Sequence, residues 1–265
     1  MADAVSEEAA RVEQRVVVAA DAAALTIAAA GHLRRAIGEA IAARGACWIA
    51  LAGGRTPRAV YEQLAGAGTP AIDWTRVHVA FGDERVVPPD HADSNYAMAK
   101  AALFDRVPLP ASQIHRIEGE RGDAAGAADA YAAVLSRAFA LAPGAWPVLD
   151  LVLLGVGSDG HTASLFPHTP TLAVIDRLAS AAIAPSPPTS RVTLTYPVLN
   201  AARAVVVLVS GADKAGAVAR AFDDGVPGAD CPVRGVRPAA GSLTWHLDAA
   251  AASKLSDALE HVTPT

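Results

Sequence analysis

Cysteine is scarce in this chain of 265 residues: Cys47 and Cys231 are its two thiols, with no Cys-x-x-Cys pair. A disulfide scaffold is thereby excluded, and both side chains are expected as buried thiols. Aromatic residues make up only 5%, which suits helices packed closely on a sheet better than an aromatic-rich sandwich. There is no run of Lys and Arg to track a nucleic-acid backbone, and the net charge of -5 with a pI near 5.9 supplies no global basic field, so nucleic acid is not expected as a partner. No stretch is long and apolar enough to span a bilayer; the Ala-rich run 19–30 is too short and is broken by Asp21 and Thr26. The first residues carry Asp3, Glu7, Glu8 and Glu13, the wrong sign for a signal peptide. A cytoplasmic protein with no membrane association is the expectation.

What is present is apolar: 52% of residues are hydrophobic, enough for a sizeable core. Apolar runs alternate with helical patterns along the chain. Strands are expected at 15–19, 47–52, 77–81, 151–154, 179–184, 191–195 and 204–209, with 243–247 as a final edge strand. Helices are expected at 21–43 with Asp21 as N-cap, from Pro57 to about Ala65 with Thr56 as N-cap, from Asp93 or Ser94 to about Phe104, at 124–141, from 212 to Phe222, and from about 248 to Glu260. Residues 225–238, rich in Gly and Pro, read as loop. No repeat or linker interrupts the pattern, so the expectation is an α/β fold, a Rossmann-like mostly parallel sheet flanked by helices. It forms a single domain over 15–265 behind a flexible segment 1–14.

Three strand ends carry chemistry-bearing residues. After Leu151–Leu154, a run buried on both faces of a parallel sheet, come Gly155, Gly157 and Gly160, with Asp159 and His161 among them. Ligands in open α/β sheets gather at the carboxyl ends of the strands, and histidine is the side chain best suited to moving protons near neutrality. After 47–52, Gly53-Gly54-Arg55-Thr56-Pro57 leads into a helix whose free N–H groups suit an anion. After 77–81 stand Asp83, Glu84 and Arg85. Lys214, in the first turn of its helix, opposes the helix dipole unless the two share an anion. Each feature also has a purely structural reading: a tight Asp-Gly turn, a well-capped helix, a solvated charged turn. The glycines fit neither a dinucleotide fingerprint nor a P-loop.

Taken together, Leu51–Pro57 (Leu-Ala-Gly-Gly-Arg-Thr-Pro), Phe81–Pro88 (Phe-Gly-Asp-Glu-Arg-Val-Val-Pro), Asp93–Tyr96, Gly155–Pro167, Arg191–Thr195 and Ser210–Lys214 resemble the 6-phosphogluconolactonases, which are related to the glucosamine-6-phosphate deaminases. The resemblance spans most of the chain. It implies hydrolysis of 6-phosphogluconolactone, a sugar-phosphate lactone, to 6-phosphogluconate in the pentose phosphate pathway. It also implies no metal and no organic cofactor, in a monomer or small homo-oligomer. Carried over by motif position, His161 is similar to the catalytic proton-transfer residue with Asp159 beside it. Gly53, Gly54, Arg55, Thr56, Asp83, Arg85, Arg191 and Lys214 are similar to residues that bind the substrate and its phosphate.

The chemistry fits the residue types. A lactone is an activated ester, so a base for one water and donors for the oxyanion suffice. A serine hydrolase on Ser158 or Ser164 would want a Gly-x-Ser-x-Gly elbow that this loop lacks. A metal hydrolase on Asp159, His161 and His168 lacks a paired-His signature. A non-catalytic sugar-phosphate binder is the non-enzyme alternative, and a deaminase the enzymatic one. In deaminases the matching loop carries a glutamate five residues after the histidine, where this chain has Phe166.

Overall fold

The computed structural model describes residues 13–66 and 71–255. Residues 1–12 of the expected N-terminal segment lie outside the described residues, while Glu13 and Gln14 already belong to the first strand.

The chain opens with β1 (Glu13–Ala19), α1 (Ala22–Arg44), β2 (Cys47–Leu51) and α2 (Arg55–Ala65). Next come β3 (Val77–Phe81), β4 (Asp83–Arg85), α3 (Asn95–Ala102) and α4 (Ala124–Ala138). After the central strand β5 (Leu151–Gly155) follow β6 (Ala179–Ile183), β7 (Ser190–Leu194), α5 (Tyr196–Asn200) and β8 (Ala204–Val209). The described chain closes with α6 (Ala215–Phe222), β9 (Ser242–Asp248) and α7 (Ala249–Ala252).

Six strands form a parallel sheet in the order β1-β9-β8-β5-β2-β3, and β4, β7 and β6 make a small antiparallel sheet of their own. The parallel core follows from composition: β5 and β8 are nearly all Val and Leu and are buried along their length, as strands covered on both faces must be. The sequence reading of 243–247 as an edge strand is corrected, because β9 lies between β1 and β8 and β1 takes the edge. The expected last helix is α7, which stops at Ala252; residues 256–260 lie outside the described residues. The loop 225–238 contains a short 3-10 turn, Pro232–Gly235.

Helix ends follow their chemistry. Asp21 caps α1 by accepting from the Ala24 N–H at 2.8 Å, and Gly45 ends it in the left-handed region at φ 79°. Thr56, expected as an N-cap, is inside α2 instead; Gly54 holds the cap position at φ 104° with no side-chain bond to the helix. The two glycines let the helix begin earlier than Pro57 suggested. Two buried tyrosines tie helices to strand ends. The Tyr61 hydroxyl both donates to the Ala52 carbonyl and accepts from its N–H, and Tyr131 does the same at Phe81. Backbone groups that would lose their partners where the strands give way to loops are thus satisfied. Cys47 and Cys231 are buried free thiols, as expected, and burial pushes both pKa values up. Among the described residues no helix is long and apolar enough to cross a membrane.

Candidate active site

Strand β5 lies between β2, from which the sheet continues to β3, and β8, from which it continues to β9 and β1. Connections therefore leave in opposite directions on either side of β5, and such a switch point opens a crevice at the carboxyl ends of the strands. A cleft of about 410 Å³ is found there. It brings together loops from the ends of β2, β3, β5 and β8, lined by Gly53, Gly54, Arg55, Thr56, Asp83, Arg85, His161, Arg191 and Lys214. Every residue that the resemblance assigned to the site lines it except Asp159, which stands behind His161.

The β5 loop is closed on itself. The Gly157 N–H donates to the His161 carbonyl at 2.8 Å, and the Thr162 hydroxyl donates to the Gly155 carbonyl at 2.8 Å. Asp159 Oδ1 lies 2.5 Å from His161 Nδ1 and also accepts the His161 backbone N–H at 3.1 Å. Burial alone would raise the Asp159 carboxyl. The hydrogen bond and charge of His161, with backbone N–H groups, outweigh it and hold the pKa below the ordinary carboxylate range. An ionised carboxylate only accepts, so Nδ1 carries the hydrogen and a neutral ring keeps its free lone pair on Nε2. Gly157 makes room for this pair: a Cβ there would sit 2.0 Å from Nδ1 and 2.5 Å from Asp159 Oδ1. Phe166, 7% exposed, packs its ring 4.6 Å from the imidazole centroid. Ala163, next but one after His161, sits at φ 46°, a backbone strain of about 1–3 kcal/mol that the loop must hold.

The rest of the lining carries four cations, Arg55, Arg85, Arg191 and Lys214. Arg85 and Arg191 are register partners across β4 and β7, and the Nε of each is buried without a hydrogen-bond partner. Like charges directly opposite on a strand pair repel. Burial first, then Arg85, lowers the Arg191 pKa, while Asp83, Glu84 and Asp93 oppose the shift. Arg85 is held by the Asp93 carbonyl. A bound anion would relieve both guanidinium groups, since each unmet buried donor costs on the order of 1–3 kcal/mol. The α2 N-terminus adds the N–H groups of Gly54, Arg55 and Thr56, the first helical bond being Arg58 N–H to the Gly54 carbonyl. Lys214 ends a 3-10 turn at the N-cap of α6, and its Nζ lies 3.4 Å from Asp213. Asp248, at the end of β9, steadies that loop by accepting from the Ser210 hydroxyl at 2.5 Å and from the Gly211 N–H at 3.0 Å.

The two acids after β3 do different things. Asp83 lines the cleft, accepting from Ser164 Oγ at 2.7 Å and Asn95 Nδ2 at 3.1 Å. Glu84 is turned inward, where its carboxylate accepts the Asn95 and Tyr96 backbone N–H groups and the Ser94 hydroxyl at the start of α3. Its role is to cap a helix. Burial raises its pKa, and the backbone hydrogen bonds hold that rise back.

A family model described as glucosamine-6-phosphate isomerases/6-phosphogluconolactonase matches residues 20–245. The chain belongs to this family. Among its relatives, the 6-phosphogluconolactonase of Nostoc sp. is 46% identical over 82% of this chain and 88% of the relative. That of Synechocystis sp. is 44% identical over 83% and 89%. The solved structure of the 6-phosphogluconolactonase from Trypanosoma cruzi superposes with a TM-score of 0.81 at 29% identity, over 94% of this chain and all of that one.

Within this member of the family, Asn95, Ser164 and the segment 184–186 line the cleft although the sequence reading gave them no binding role. Asn95 and Ser164 act on Asp83 from 12 and 81 residues away, a relation no local pattern carries. The Asp-Ser-Asn-Tyr motif was the one signal pointing to Asn95. Ser164 Oγ is spent on Asp83 and Ser158 is exposed, so neither forms a Ser–His pair with His161. His168 pairs with Asp230 at 2.9 Å instead of joining His161. Among the described residues no group of three His, Cys, Asp or Glu side chains is placed to hold a metal.

Proposed function

We propose that this protein hydrolyses 6-phospho-D-glucono-1,5-lactone to 6-phospho-D-gluconate in the oxidative pentose phosphate pathway, with His161 as the general base and acid. The observation that carries the reading is the Asp159–His161 pair, which leaves Nε2 as an acceptor beside a cleft that Arg55, Arg85, Arg191 and Lys214 also line. The relatives' names supply the lactone. His161 Nε2 takes a proton from water as the oxygen adds to C1. The C1–O bond of the ring then breaks, and the imidazolium returns that proton to the departing ring oxygen. The new carboxylic acid ionises in water. Asp159 orients the ring and stabilises its cation, an arrangement worth roughly 10²–10⁴ in rate for the proton transfer.

Gly53, Gly54, Arg55, Thr56, Arg85, Arg191 and Lys214 hold the phosphate and sugar hydroxyls, with Asp83 as a hydroxyl acceptor. Binding energy gathered far from C1 is what fixes C1 against the water. No metal or organic cofactor is needed. The enzyme works in the cytoplasm, as a monomer or small homo-oligomer, on a free small molecule and not on nucleic acid.

Deaminase chemistry is the second reading within the family, and Phe166 stands against it. Phenylalanine exchanges no proton, and here its ring covers the imidazole. The test compares two assays at one enzyme concentration. Loss of lactone generated in place from glucose 6-phosphate should exceed spontaneous hydrolysis, while glucosamine 6-phosphate should release no ammonia above background. Ammonia release without lactone turnover would overturn the assignment, and saturable binding of 6-phosphogluconate with neither activity would leave a binding protein.

A further inference from the structure

A second cavity, about 590 Å³, lies well away from the switch point, between α1 and the β1–β9 edge of the sheet. Its size falls within the range of small-molecule sites. The floor is an imidazole pair: His32 Nδ1 lies 2.9 Å from Nε2 of His246, which is 4% exposed. Arg15 on β1 and Arg35 on α1 flank that pair, and Val17 and Ile27 form an apolar wall beside it. Ile27 is 62% exposed and presents apolar surface to the cavity.

The charge balance of this cavity is one-sided. No carboxylate lines it. Arg58, Arg76, Arg116, Arg121 and Arg177 on the surface each hold an Asp or Glu. Arg15 and Arg35 have no such partner among the described residues. Glu39, one turn beyond Arg35, is the one acid that acts on His32. Burial lowers the pKa of both imidazoles, and Arg15 and Arg35 lower them further. Two guanidinium groups are thus gathered around a histidine pair that they disfavour charging, an arrangement an anion would reverse.

We propose that this cavity is a second ligand site, distinct from the catalytic cleft, for a small organic phosphate. Its phosphate meets Arg15, Arg35 and His32, and its apolar part lies on Val17 and Ile27. The two guanidinium groups supply the planar donors that suit phosphate oxygens. His32 adds a donor, and the negative charge of the bound phosphate favours its protonated form.

The probe is phenyl phosphate, titrated into the full-length protein while the ring signals of His32, His246 and His161 are followed by NMR. Saturable shifts of His32 and His246 are expected, with phenyl phosphate binding more tightly than inorganic phosphate. The Arg15→Gln/Arg35→Gln variant, which alters exposed side chains outside the cleft, should lose at least tenfold in that affinity and keep the lactone kcat and KM. Arg35→Gln alone serves if the double variant is unstable. Shifts confined to His161, or affinity unchanged in these variants, would overturn the proposal.

Discussion

Gly157→Ala subjects the proposed catalytic geometry to a change of one methyl group. The new Cβ would lie 2.0 Å from His161 Nδ1, 2.2 Å from Cε1 and 2.5 Å from Asp159 Oδ1, whereas ordinary contact begins near 3.4 Å. The obstacle is a ring and the carboxylate bonded to it, so relief requires the imidazole to retreat by more than an ångström and the Asp159 bond to break. A misplacement of that order costs about 10² in rate, and complete loss of the general base up to about 10⁴, which is about 3–5 kcal/mol of barrier. Gly157 is not among the glycines with positive φ, so the backbone itself tolerates alanine, and the loss of unfolded-chain entropy favours the variant by about 0.4–1 kcal/mol. The expected outcome is a folded protein with near-native Tm that still binds 6-phosphogluconate while its lactone kcat falls by at least about 10². A folded Gly157→Ala enzyme with wild-type kcat would refute the placement of the reacting imidazole against Gly157.

Two further outcomes follow from other parts of the molecule. Lys214→Ala should raise KM for the phosphorylated lactone by at least about tenfold, a charge-assisted bond being worth about 1.5–3 kcal/mol, and should leave turnover of unphosphorylated gluconolactone nearly unchanged; equal losses on both substrates would remove Lys214 from the phosphate. The buried His246, whose pKa is pulled down to about 4 by burial, then by His32, Arg15 and Arg35, gives a pH signature of its own. The unfolded imidazole takes its proton near pH 6.5 and the folded one resists until about 4. Its contribution is therefore complete above pH 6.5 and is lost as pH falls toward 4, a drop of up to about 3 kcal/mol. Urea midpoints at pH 7 and pH 5 should differ less for His246→Gln than for the wild type, and an identical difference would contradict the assignment.

The strands that frame the site were legible because a parallel strand buried on both faces is written as a continuous apolar run, as in Leu151–Leu154 and Ala204–Val209. The same logic hid β4: Asp83, Glu84 and Arg85 look like a solvated turn, and only their pairing with Arg191, Val192 and Thr193 makes them a strand. Strand order was not legible either, so β9 read as an edge although β1, from the other end of the chain, pairs outside it. Thr56-Pro57 carries the local signature of a helix start, yet the glycines before it let α2 begin at Arg55. That His161, Lys214, Gly53 and Gly54 come together in one cleft, with Asp159 beside His161, could be read from the sequence because each follows a strand end. Asn95 and Ser164 could not, since their work is done on Asp83 across the fold.

The most direct test of His161 as the base is turnover of 6-phosphogluconolactone by the wild type and His161→Ala side by side. Rates are corrected for spontaneous hydrolysis and normalised to folded protein. The expected result is a kcat reduced by about 10²–10⁴, with 6-phosphogluconate still bound as in the wild type. A folded His161→Ala enzyme within about tenfold of wild-type kcat, short of what a lost general base costs, would contradict the mechanism.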